Sequence, residues 1–150
     1  MTVHPAANLR TECAIAGWSL VVSADPATRV HLRHALTALG QVPVSVSDCV
    51  AAREELLRRG GRPMVVVIDS DTRHATSLVT GASRLRDAAV VICATRGSAA
   101  VRTAGVEADG YLAKPLELAK SIAEIRAIVR RSPAERLAIR RARRSLAAEG

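Results

Sequence analysis

The chain has 150 residues, enough for one domain with a full hydrophobic core and too few for two ordinary ones. Hydrophobic residues make up 49% of it, a globular balance, yet it holds one Trp, one Tyr and no Phe. The core must therefore be aliphatic, and a nucleic-acid reader that stacks bases on aromatic rings is disfavoured.

Residues 1–17 are assigned to an N-terminal tail without the basic segment and long apolar stretch of a signal peptide. Ser19 to Val22 reads as a short buried strand. Asp25-Pro26 then supplies an N-cap and a proline at the first helical position. Leu32, Leu36 and Leu39 keep helical spacing until Gly40. Val42, Val44 and Val46 alternate as a second strand. Asp48 caps a second helix with Ala52 and Leu56 on one face, ending at Gly60-Gly61. Met64 to Ile68 is a fully buried third strand that stops at Asp69.

Between Thr72 and Arg86, Leu78, Ala82 and Leu85 fit a helix that Gly81 and several hydroxyl residues make short or irregular. Val90 to Cys93 is a fourth strand, 98–104 a short fourth helix, and Tyr111 to Ala113 a fifth strand. Leu118, Ile122, Ile125 and Val129 mark a strongly amphipathic fifth helix. The expected fold is α/β: a doubly wound, five-stranded parallel sheet covered on both faces. It spans residues 18–131.

Residues 132–150 form a basic helical extension that opens on Ser132-Pro133-Ala134-Glu135, a capping box. The net charge of +8 is concentrated near this end, since eight arginines and two glutamates follow from Arg126 onward. Arg136, Arg140, Arg141, Arg143 and Arg144 are read on one side of this helix, with Leu137, Ala138, Ala142 and Leu146 as an apolar stripe opposite. One reading is a solvated helix packed on the domain or on a second copy. The other is a basic arm for nucleic acid, an acidic protein or a membrane surface. Cys13, Cys49 and Cys93 are widely spaced, form no CxxC pair and fit a reducing cytoplasm.

Sites in doubly wound sheets lie at the carboxyl ends of the strands. That edge collects Ser23, Ala24, Asp25, Asp69, Ala94, Thr95 and Lys114. A carboxylate can attack a phosphoryl group and an ammonium can pair with the product. A plain Asp69–Lys114 ion pair closing the strand ends is the alternative. The absence of GxGxxG and GxxxxGK[ST] motifs argues against a nucleotide-dependent enzyme.

With these residues in place, the chain resembles the receiver domain of bacterial response regulators. The resemblance rests on Val21-Val22 before the Asp-Pro helix start, on Ile68-Asp69, and on Ala108-Asp109-Gly110-Tyr111-Leu112-Ala113-Lys114-Pro115. It implies strand order 2-1-3-4-5 and a non-enzymatic part in two-component phosphorelay signalling. Asp69 would be the phospho-acceptor, and Lys114 would contact the phosphoryl group with a cis bond to Pro115. Tyr111 would be the aromatic switch; a half-buried tyrosine at the sheet edge is the alternative. Partners would be a sensor histidine kinase or another signalling protein. A homodimer would use the fourth helix, fifth strand and fifth helix, and no membrane is implied.

The departures from that pattern matter equally. The acidic pair that normally follows the first strand and holds Mg²⁺ reads Ser23-Ala24 here. Asp25 falls one place later, where N-capping suits it better than metal binding. With Asp69 and Asp25 as the candidate ligands, Mg²⁺ should bind weakly. The switch hydroxyl position reads Ala94; a one-residue shift would let its neighbour Thr95 contact the phosphoryl group beside Lys114. His74, just past Asp69 and Asp71, reads as an exposed loop histidine. The expectation is an atypical stand-alone response regulator; the alternative is a phosphorylation-independent scaffold.

Overall fold

The computed structural model describes residues 17–60, 62–83, 85, 87–95 and 107–149. Five strands, β1 (Gly17–Val22), β2 (Gln41–Val46), β3 (Val65–Asp69), β4 (Ala89–Thr95) and β5 (Gly110–Lys114), form one sheet. All pairings are parallel and the order is β2-β1-β3-β4-β5. The described helices are α1 (Pro26–Ala38), α2 (Cys49–Arg58), α3 (Ala75–Ser83), α4 (Leu118–Arg130) and α5 (Pro133–Glu149). The helix read over 98–104 lies outside the described residues.

Residue parity distributes the core over two layers. Leu20, Val22, Val66, Ile68, Val90 and Ile92 pack with Cys49 and Ala52 of α2 and with Leu78, Val79 and Ala82 of α3. Their neighbours Val21, Val65, Val67, Val91 and Cys93 pack with Leu32, Ala35 and Leu36 of α1 and with Ile125 and Ile128 of α4. Strands buried on both faces need apolar residues at every position, which is why β3 reads Val-Val-Val-Ile before its aspartate. Each fully buried Val, Leu or Ile side chain contributes roughly 1.5–3 kcal/mol.

Local signals set the helix starts. The Asp25 carboxylate accepts from the Thr28 amide at 3.2 Å, and Pro26 needs no partner at the first position. Asp48 caps α2 through the Ala51 amide at 2.8 Å. Gly40 turns α1 into β2 with φ of 85°, in the left-handed region that glycine adopts without a Cβ clash. The short helix expected after Asp69 forms over Ala75–Ser83, within the apolar spacing across Thr72–Arg86. Its entry passes through His74 at φ 66°, and His74 is exposed.

Helix α5 packs on the domain, and its burial shows which face docks. Arg136 and Arg140 are each 6% exposed, whereas Leu137 is 42% and Leu146 69% exposed. The helix docks through arginines, and the apolar stripe faces outward. The physical reason lies at the amino-terminal ends of β4 and β5. There Asp109, Glu107 and the carbonyls of Ser83, Asp87, Ala88 and Ala108 all accept from arginines of α5. A guanidinium fork answers such a cluster of acceptors, and a leucine does not. Among the described residues, no helix is long and apolar enough to cross a membrane.

Candidate functional site

The carboxyl ends of β1, β3, β4 and β5 meet at one rim of the sheet. Strand register brings Asp69 opposite Cys93, and Thr95 opposite Lys114. Asp69 is the last residue of β3 and is 1% exposed. Buried charge at this depth requires partners, and Asp69 has several. Lys114 donates to Oδ1 at 2.8 Å, the Asp71 amide donates to Oδ1 at 3.1 Å, and the Ser23 hydroxyl donates to Oδ2 at 2.7 Å.

Lys114 also reaches Asp71 Oδ2 at 2.9 Å. Burial by itself would lower the ammonium's pKa. The hydrogen bonds to Asp69 and Asp71, with the attraction of Asp69, outweigh that and hold it above its ordinary value. The cation is therefore fully present at neutral pH. The Lys114–Pro115 peptide bond is cis. Behind the rim, burial first and the Asp69 charge second push the Cys93 thiol up to about 12, so it remains a neutral core group.

The other side of the pocket belongs to the turn between β1 and α1. Ser23 is fully buried, and its hydroxyl also accepts from the Asp25 amide at 3.1 Å. Asp25 itself is directed to α1, taking the Thr28 hydroxyl at 2.6 Å as well as the Thr28 amide. The Thr28 hydroxyl bond, opposed by slight desolvation, leads the effects that keep the Asp25 carboxyl below its usual range. The Ala24 amide donates to Thr72 Oγ1 at 3.2 Å, and Arg29 donates to the Ser23 carbonyl at 2.7 Å.

The structure thus gathers Asp69, Lys114 and Ser23 and turns Asp25 away to its helix. Ala94 is buried opposite Ala113, and Thr95 stands exposed beside Lys114. Tyr111 is 50% exposed and lines a surface groove with Ala94, Glu124, Ala127 and Arg131. Of the basic extension, Arg136, Arg140, Arg143 and Arg144 engage the far end of the sheet, and Arg141 is exposed. Sequence reasoning gave no role to Thr72 or Arg29, and treated Ser23 chiefly as a missing acid. A hydroxyl residue at a strand's carboxyl end, aligned with a buried acid on the neighbouring strand, was the available signal.

The residues present make a poor Mg²⁺ cage. Both Asp69 oxygens already accept hydrogen bonds, Asp25 is spent on its cap, and Ser23 offers a hydroxyl where a carboxylate would be needed. Among the described residues, no group of three or more His, Cys, Asp or Glu side chains is placed to hold a metal ion.

The strand order and the aspartate–lysine rim define a response regulator receiver fold. The chain is 34% identical over 119 residues to the response regulator MprA of Mycobacterium leprae, covering 75% of this chain and 51% of that protein. It therefore spans about half the length of the curated relatives it matches. A response regulator from Thermotoga maritima superposes with a TM-score of 0.65 at 18% identity, over 77% of this chain and 98% of that one. The BeF3-activated DrrB receiver domain superposes with a TM-score of 0.64 at 19% identity, over 78% of this chain and all of that one. At such identities the structural likeness speaks for the fold alone. No family model matches the chain.

Proposed function

We propose that this domain is a cytoplasmic receiver in two-component signalling and that Asp69 accepts a phosphoryl group from a sensor histidine kinase. The observation that carries the reading is the 2.8 Å contact between Lys114 Nζ and Asp69 Oδ1 at the carboxyl edge of the sheet. In the transfer, an Asp69 oxygen forms the new P–O bond as the P–N bond of phosphohistidine breaks. The imidazole keeps the electron pair. Lys114 then pairs with the added phosphate charge. Breaking the resting Lys114–Asp69 contact frees β5, which also carries Tyr111, to change its exposure.

A second reading is favoured by Ser23. A carboxylate held by three donors, without a metal cage, also suits a scaffold that is never phosphorylated and signals by partner binding alone. Nuclear magnetic resonance separates the two. Amide and ring resonances of Lys114 and Tyr111 should move when a phosphoramidate donor is added to the wild type and stay fixed in Asp69→Asn. Unmoved wild-type resonances would favour the scaffold.

A further inference from the structure

We infer that Ser23 closes this pocket to divalent cations and itself fixes the acceptor carboxylate, so that the site works with immobile donors in place of a metal ion. The inference rests on the receiver reading for the meaning of the pocket, but its chemistry is separately visible. The Ser23 side chain is fully buried and satisfied in both directions. Its oxygen accepts from the Asp25 amide at 3.1 Å, and its proton goes to Asp69 Oδ2 at 2.7 Å. This forms a relay from the start of α1 to the end of β3. The Arg29 guanidinium anchors the same residue by its carbonyl at 2.7 Å.

Coulomb attraction is supplied by a fixed cation as well, because the Lys114 ammonium lies 2.8 Å from Asp69 Oδ1. A divalent cation entering here would have to displace the Ser23 proton donor and compete with the Lys114 ammonium. In return it would gain the carboxylate of Asp69 and, only by taking over the Lys114 contact, that of the exposed Asp71. Mg²⁺ demands near-octahedral oxygen ligands and gives up water reluctantly, so the exchange is unfavourable. Ser23 is thus a positioning residue: it acts on the phosphoryl group only through Asp69.

The test uses the full chain and Mn²⁺ as the probe, followed by electron paramagnetic resonance. The wild type should show no saturable site. The double variant Ser23→Asp with Ala24→Asp should acquire one, and adding Asp69→Asn should remove it again. Saturable wild-type binding that Asp69→Asn abolishes would overturn the inference, and so would a folded double variant that takes up no Mn²⁺. Should the double variant misfold, a second measurement decides. With ¹³C-labelled aspartate, the Asp69 carboxyl resonance should shift in Ser23→Ala and return in Ser23→Thr. An unmoved resonance would show that the hydroxyl does not hold the carboxylate. Neither readout requires phosphorylation, so failure of the acceptor role and failure of this inference remain distinguishable.

Discussion

Arg140 of α5 lays its guanidinium across both oxygens of Asp109, the residue just before β5, with Nε 2.8 Å from Oδ1. The Asp109 side chain is fully buried, and its Oδ2 also accepts from the Val90 amide at 2.7 Å. One carboxylate therefore ties the C-terminal helix to the starts of β4 and the edge strand β5. The same strand, β5, ends at Lys114. The fold thus anchors β5 at one end by a carboxylate–guanidinium fork and at the other by an ammonium–carboxylate contact.

Removing one partner from a buried, hydrogen-bonded pair strands the other. Arg140→Ala should destabilise the domain by roughly 3–5 kcal/mol, because Asp109 keeps its burial and loses its hydrogen-bonded cation, leaving only Arg136 at 3.9 Å. Arg141→Ala, on the exposed side of the same helix, should stay within about 0.5 kcal/mol. Urea unfolding of both variants checks the contrast. Equal, small losses would mean that α5 is merely laid on the surface.

Gly110 of β5 lies against Ile128 of α4. A Cβ built there would clash with Ile128 Cδ1 and lie 3.1 Å from its Cγ1. Ile128 is buried at 5% exposure and has little room to withdraw. Gly110→Ala should cost about 1–3 kcal/mol by overpacking. Ile128→Val removes the Cδ1 methyl, so the double variant should recover part of that loss. A simple sum of the two single effects in a thermal-unfolding cycle would refute the proposed clash.

His31 joins α1 to α4 through Ser121 Oγ at 2.9 Å. Burial first, then the neighbouring His34 charge, lowers the His31 pKa from its ordinary 6.5. The unfolded chain therefore binds the proton more readily than the folded one. This contribution to stability is complete above pH 6.5 and is lost as pH falls from there through the lower folded value. Wild-type stability should fall across that window more than that of His31→Gln. Parallel curves for the two proteins would remove His31 as the cause.

Much of the fold was legible because both faces of the sheet are covered. Continuous apolar runs such as Val65-Val66-Val67-Ile68 admit one kind of sheet, and the helices between them fix its handedness. The acid at the end of that run and the Lys114-Pro115 step marked the functional rim. Asp25 was also legible as an N-cap, since Pro26 and Thr28 follow it. The docking face of α5 was not. Amphipathic reasoning sends Leu137 and Leu146 inward, and the partners that reverse this, Asp109 and Glu107, lie some thirty residues away in the chain. The spacing of Arg136, Arg140 and Arg144, each four apart on one helix face, was the available clue. Ser23 was read as the loss of an acid: its place at the strand edge with Asp69 was legible, but the direction of its hydroxyl toward Asp69 Oδ2 was not.

The most direct test of the central claim is the intact mass of the purified protein after incubation with a small phosphodonor such as acetyl phosphate, compared across wild type, Asp69→Asn and Lys114→Ala. Wild type should gain a single phosphoryl group. Asp69→Asn should gain none, and Lys114→Ala should gain it more slowly. A gain that survives in Asp69→Asn, or no gain in the wild type under any donor, would contradict Asp69 as the acceptor.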